Sequence, residues 1–215
     1  MIPDRGLLVV FGATGGAGRA VLAEALHAGF QVRAFARTPA ALLDNGAYPT
    51  GLSVVSGDVL DAAAVRSAVA GAVAVVSTLG RGGDLTPTTV LSAGTANIVA
   101  GMLAEGVARL VVVTSMMVTP TGTEPPFFRM VATKMLAEVH ADHLRLEAHV
   151  KASDLDWTIV RPPRLRDGPA RRAWRTAKDA GVKSGEEISR ADLAKFLVAE
   201  VTERKFVRAG VGIAW

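Results

Sequence analysis

The stretch LLVVFGATGGAGR, residues 7–19, constrains this chain more than any other. Five apolar residues with no polar alternation fit a strand buried on both faces, and Arg19 to Ala28 has the composition of a helix. Between them stand Gly12, Gly15, Gly16 and Gly18, so the order is strand, Gly-rich turn, helix. Glycines there permit tight backbone angles and close approach. The helix start adds free N–H groups and the positive end of its dipole, so a pyrophosphate is the first ligand to expect. Gly12, Gly15 and Gly18 space as G-x-x-G-x-x-G rather than G-x-G-x-x-G, and a turn of this kind can also be a tight connection with no ligand. Its place at the first βα junction of a long alternation favours the cofactor reading.

That alternation continues along the chain. QVRAFAR (31–37), LSVVSGDV (52–59) and AVAVVSTLG (72–80) read as strands two to four, with a short helix over 61–71. A helix from Thr88 to Glu105 leads into RLVVVTS (109–115), and one over 129–153 leads into DWTIVRPP (156–163). Crossovers of this length predict a parallel sheet covered on both faces: a single-domain Rossmann fold of the α/β class, doubly wound, over residues 1–215. Ser189 and Asp192 have capping-box spacing before an amphipathic helix, and KFVRAGVGI is a candidate last strand. Residues 115–128 and 162–188 read as long irregular loops at the carboxyl ends of strands five and six, where open α/β sheets build their sites.

Composition excludes several chemistries. The 215 residues contain no cysteine, which removes disulfides, thiolate metal sites and a cysteine nucleophile. Four histidines, at 27, 140, 143 and 149, make poor metal candidates, and no metal is expected. The N-terminal apolar run is too short for a signal h-region and no stretch reaches membrane-spanning length, so a cytoplasmic protein with no membrane association is expected. The net charge of +4 is local: Arg161, Arg164, Arg166, Arg171, Arg172, Arg175 and Lys178 face only Asp167 within their own stretch. That segment reads as a solvated surface, a nucleic-acid patch or a rim for an anionic substrate. With Trp174 as its single aromatic and no recognition motif, nucleic acid is not expected.

The cofactor can be narrowed further. An NAD site places an acid at the end of strand two, whereas a 2′-phosphate needs that acid absent and a cation present. Here the strand ends Phe35-Ala36-Arg37, so Arg37 is the expected phosphate fork, with Arg33 or Arg19 as helpers, and NADP(H) the expected cofactor. Asp58 is placed to approach the adenine. The Tyr-x-x-x-Lys pair of a typical short-chain dehydrogenase is missing, because the only tyrosine, Tyr48, is followed by PTGL. That argues against alcohol–ketone interconversion and leaves hydride transfer to an acceptor needing no strong protein acid.

GATGGAG, GDVLDAAAVRSAVAG and the block from LGRGGDLTPTTV to VVVTS resemble, in order and spacing, the biliverdin-IXβ reductase / flavin reductase family, an atypical short-chain dehydrogenase branch with NmrA-like relatives. The likeness resumes at ADHLRL, DWTIVRPP and ISRADLAKF. It implies NADPH-dependent reduction of flavins and linear tetrapyrroles, with a small-molecule acceptor as partner and a monomer as the assembly. By position it implies that Gly12, Thr14, Gly15 and Gly18, within the turn that includes Gly16 and Ala17, hold the pyrophosphate, and Arg37 the 2′-phosphate. Asp58 and Val59 would flank the adenine, Leu79 and Gly80 line the groove, and Thr114 and Ser115 sit at the nicotinamide end opposite Pro162 and Pro163. Ser115 is the catalytic candidate, as a substrate-side hydrogen bond or proton relay; a serine capping a strand end is the plainer alternative. Ala17 replaces a hydroxyl residue of the family's turn. Met116, Met117 and Arg164, at acceptor-side positions, also depart from the family, so a remodelled pocket is expected. A non-catalytic NADP(H) sensor of the NmrA-like type is the alternative function.

Overall fold

The computed structural model describes residues 5–44, 46–80, 89–118, 137–182 and 187–215. Among the described residues ten strands and five α-helices follow in the order β1 (Leu7–Phe11), α1 (Gly16–His27), β2 (Gln31–Ala36), β3 (Leu52–Ser56), α2 (Ala62–Val69), β4 (Ala74–Ser77), α3 (Val90–Ala104), β5 (Arg109–Val113), α4 (Ala137–Lys151), β6 (Asp156–Arg161), β7 (Arg164–Arg166), β8 (Arg175–Lys178), β9 (Glu187–Ser189), α5 (Arg190–Glu203) and β10 (Ala209–Ala214). The main sheet runs β3-β2-β1-β4-β5-β6-β10-β8, and β7 and β9 form a separate parallel pair. The first six positions have the Rossmann order, whose reversal falls between β1 and β4.

Burial of β1 on both faces explains its unbroken apolar run. Leu8 and Val10 enter a core layer with Val21, Leu22 and Ala25 of α1 and Leu193 and Leu197 of α5. Val9 and Phe11 enter the opposite layer with Val65 and Val69 of α2, Ile98 and Met102 of α3, and Leu146 and Val150 of α4. Each fully buried Leu, Ile or Phe contributes about 1.5–3 kcal/mol. The two layers therefore fix the sheet, and with it the backbone positions at the carboxyl ends of its strands.

Two expectations need correction. The sheet is not wholly parallel, since β8 pairs antiparallel with β10. No helix lies between β6 and β8 to carry the chain back to the starting edge, so β8 runs the other way as a short, largely exposed edge strand bearing Arg175 and Lys178. For the same reason 162–188 is not simply irregular: it contributes β7, β8 and β9. The helix expected over 129–153 is seen as Ala137–Lys151, the first part of that span lying outside the described residues. The last strand occupies Ala209–Ala214 as expected. Ser189 caps α5, its Oγ accepting from Asp192 N–H at 3.0 Å.

Candidate functional site: a glycine turn facing a braced strand pair

The carboxyl ends of β1 to β6 bring the expected residues together in two groups. The first is the turn after β1. Gly12 has φ +73°, and a Cβ there would lie 2.5 Å from Thr78 O, while a Cβ on Gly18 would lie 2.2 Å from Gly12 O. Neither position tolerates a side chain. Thr78 closes the turn from β4, its N–H donating to Phe11 O (3.0 Å) and its Oγ1 to Phe11 O (3.1 Å), which sets Leu79 and Gly80 beside Gly12. The first backbone bond of α1 runs from Arg19 N–H to Gly15 O (2.9 Å), and Gly15 offers no capping side chain. The N–H groups of Gly16, Ala17 and Gly18 therefore point out of the helix start, no acid occupies that turn, and Thr14, Gly15 and Gly16 are exposed. This cradle fits a diphosphate.

Beyond it, the ladder between β2 and β3 extends through Gly57 N–H to Ala36 O (3.2 Å), so Arg37 and Asp58 leave the sheet at neighbouring points. Arg37 is exposed, and among the described residues its side chain has no partner. Its expected helpers are committed elsewhere. Arg33 donates to the carbonyls of Ala68 (2.8 Å) and Ala70 (2.9 Å), closing the end of α2, and takes no part here. Arg19 donates to Thr14 O at 3.1 Å and to Ala41 O. Asp58 is exposed and accepts from Leu60 N–H at 2.9 Å. Val59 is buried beneath it, and its carbonyl accepts from Asn97 Nδ2 at 2.9 Å.

The second group lies at β5 and β6. Their pairing continues past the strand ends, through Thr114 N–H to Val160 O (2.8 Å) and Met116 N–H to Pro162 O (3.0 Å). Ser115 and Met116 thus face the buried Pro162 and Pro163; Ser115 is partly buried. Met116–Val118 form a short 3₁₀ turn, so Met117 is there by its backbone, and the continuation from 119 lies outside the described residues. Tyr48 stands just before β3, at the amino end of the sheet and far from both groups.

Beneath Ser115 lies a buried charge network that sequence reasoning missed. Arg161 forks onto Glu147 of α4, Nε to Oε1 at 2.8 Å and an Nη to Oε2 at 2.6 Å. Thr114 Oγ1 donates to the same carboxylate (3.1 Å), as does Lys151 Nζ (2.8 Å). Burial pushes the Glu147 carboxyl up, but the bonds from Arg161 and Lys151 outweigh it and hold the group below its ordinary range. Bonding to Glu147 in turn raises Arg161. One signal was available: Arg161 ends the apolar run DWTIVR, and a charge in a buried strand requires a buried counter-charge.

The basic segment is largely satisfied, contrary to its look in the sequence. Arg161 pairs with Glu147, Arg166 with Glu187 (2.9 Å), Arg171 stacks 3.6 Å over the Trp215 ring, and Arg175 donates to Trp215 O. Arg164 begins β7 beside Glu187 of β9 and is exposed, as are Arg172 and Lys178. Asp192 pins the loop by accepting from the N–H groups of Arg171 (3.0 Å) and Arg172 (2.9 Å) and from Trp215 Nε1 (2.8 Å). Burial raises the Asp192 carboxyl, and these donors together with Ser189 lower it further than burial raises it. Among the described residues no group of acids and histidines is arranged to hold a metal, and no helix is long and apolar enough to cross a membrane.

Comparison with solved structures places the fold. A Rossmann-fold NAD(P)-binding protein from Shigella flexneri superposes with a TM-score of 0.73 at 25% identity, covering 97% of this chain and 92% of its own. A Veillonella parvula short-chain dehydrogenase/reductase in complex with NADP gives 0.78 at 16% identity, with coverages of 98% and 94%. ChuY, an anaerobilin reductase from Escherichia coli O157:H7, gives 0.72 at 22%, with 96% of each chain covered. Residues 12–204 match a family described as NAD(P)H-binding, a span that takes in both groups at the carboxyl ends of the strands. In agreement with the cofactor and family likeness expected from its glycine turn and strand blocks, the chain belongs to the NAD(P)H-binding family.

Proposed function

We propose that the protein is an NADPH-dependent reductase of a planar conjugated acceptor, a flavin or a linear tetrapyrrole. The observation that carries this reading is the Arg37 fork, without a partner among the described residues, beyond a glycine cradle with three outward N–H groups and no acid at the end of β2. Gly12 to Gly18 hold the diphosphate, and Arg37 takes the 2′-phosphate bidentately. Asp58 and Val59 flank the adenine, Leu79 and Gly80 line the groove, and Thr114 lies under the nicotinamide. Bound NADPH supplies a hydride from C4 of its nicotinamide.

The acceptor end supports hydride transfer over acid–base work. Thr114 is spent on Glu147, and Glu147 is saturated by Arg161 and Lys151, so neither is a proton donor. Ser115 then orients the acceptor by a hydrogen bond, solvent supplies the proton, and Pro162, Pro163 and Met116 provide apolar walls with Arg164 at the rim. A tetrapyrrole acceptor is in keeping with the shared fold of the anaerobilin reductase ChuY.

The test is anaerobic NADPH oxidation with FMN, with NADH and biliverdin run in parallel. Saturable, NADPH-selective turnover is expected. Arg37→Glu should reduce the preference for NADPH over NADH by about tenfold or more, the worth of a charge-assisted phosphate contact. An unchanged ratio removes Arg37 from the site. Cofactor binding without turnover on any acceptor would favour the alternative, an NADP(H) sensor, with which the missing Tyr-x-x-x-Lys pair is also in keeping.

A further inference from the structure

Arg190, the first residue of α5, lies against the start of α1. A Cβ on Gly16 would stand 2.7 Å from Arg190 Nε and 2.9 Å from its Cδ. Its position is electrostatically wrong for a resting cation. The guanidinium sits at the positive end of α1 and grows from the positive end of α5, and neither the first turn of α1 nor its cap carries an acid. Asp192, the acid in the first turn of α5, is occupied by the backbone of Arg171 and Arg172, Ser189 and Trp215. What holds Arg190 is Asp167, at 2.7 Å, the first residue after β7. The Asp167 side chain is 91% exposed, and an ion pair with so exposed a member adds little stability.

The start of α1 with its three outward N–H groups and a guanidinium paired to an exposed carboxylate converge on the place assigned to the cofactor's diphosphate. We propose that Arg190 is a ligand of that diphosphate, and that Asp167 is its competing partner. The inference rests on the cofactor reading above. The diphosphate carries two charges and meets the guanidinium and the helix start together, so it outcompetes one solvated carboxylate. When Arg190 turns to it, Asp167 is released and the connection between β7 and β8 loses one of its ties to α5, while Asp192 keeps those to Arg171 and Arg172. Cofactor occupancy and the freedom of the basic loop beside the acceptor are thereby linked through one side chain.

The test is calorimetric titration of NADP⁺ and NAD⁺ into the wild type, Arg190→Gln and Asp167→Asn, with a thermal melt of each variant. Arg190→Gln should weaken both nucleotides by a similar factor, about tenfold or more, because the diphosphate is common to them. Asp167→Asn should act in the opposite direction and tighten both by about two- to fivefold, the worth of an exposed ion pair removed from competition. Equal affinity in Arg190→Gln and wild type overturns the proposal. So does weakening by both variants alike, which would make the pair a brace for the loop. A wild type that binds neither nucleotide overturns the cofactor reading itself, and this inference with it.

Discussion

Two buried ion pairs brace β5 and β6, one at each end of the strands, and they differ in what they hold. At the amino end Arg109, 2% exposed, reaches Glu200 Oε1 (3.1 Å) and the carbonyls of Glu200 and Asp156 (2.7 Å each). Glu200 also accepts from Thr158 Oγ1 (3.2 Å) and Phe206 N–H (2.8 Å). Every partner there belongs to a strand, a helix or the turn before β10, and burial lowers the Arg109 guanidinium despite its partners. At the carboxyl end Glu147 and Arg161 form the second buried pair, whereas at the amino end Arg109 Nε is buried without a hydrogen-bond partner among the described residues; Thr114 and Arg161 adjoin Ser115 and Pro162. The same chemistry fastens α5 to the sheet at one end and at the other underlies the backbone of Ser115 and Pro162, where we propose the acceptor binds.

Glu147→Gln and Glu200→Gln test that difference most severely. Each leaves a buried arginine without its counter-charge, at a cost of about 3–5 kcal/mol. Both variants should lose that stability in urea titrations. Only Glu147→Gln should also lower turnover per folded molecule. An equal fall in turnover for Glu200→Gln, corrected for folded fraction, would break the distinction between the two ends.

Acid sharpens it by a smaller amount. The Glu147 carboxyl is held below its unfolded value, so its contribution is fully present above the unfolded pKa, about 4.3, and is lost as pH falls through the folded value. Asp192 acts in the same sense at the start of α5. Stability measured by urea midpoint should therefore decline on acidification below about pH 5 in the wild type. The decline should be shallower in Glu147→Gln, which has no carboxyl at that position to protonate. An identical slope would mean that this pair does not titrate with folding.

The contrast also explains what the sequence made legible. The glycine turn could be read because its steric demands fall on contiguous residues, and the order of β1 to β6 because each crossover is encoded between its strands. The fates of the arginines could not, because their partners are distant: Glu147 for Arg161, Glu187 for Arg166, the Trp215 ring for Arg171. Arg33 looked free because its partners are backbone carbonyls of α2, which no pattern of acids announces. The contact of Arg190 with Gly16 joins the two ends of the fold and has no local signature. Strand β8 was missed because RTAK lacks the apolar run of a buried strand, as an exposed antiparallel edge allows.

The finest test uses the threonine of each network. Thr114 Oγ1 donates to Glu147 at 3.1 Å, and the single Thr158 hydroxyl proton is shared between Glu200 Oε1 at 3.2 Å and Phe206 O at 2.9 Å. Valine keeps the shape and removes one hydroxyl, and each carboxylate retains charged or backbone donors, so each substitution should cost about 1 kcal/mol. Thermal unfolding should then shift alike in Thr114→Val and Thr158→Val. The kinetics should not: with its tie to α4 gone, the backbone between Thr114 and Met116 can move against Pro162, and KM for the acceptor should rise about twofold, equivalent to about 0.4 kcal/mol. Thr158→Val lies at the far end of the strand and should leave KM at the wild-type value. If Thr114→Val also leaves KM unchanged, the Met116–Pro162 bond alone fixes the floor of the site, and the carboxyl-end network is as purely structural as its counterpart.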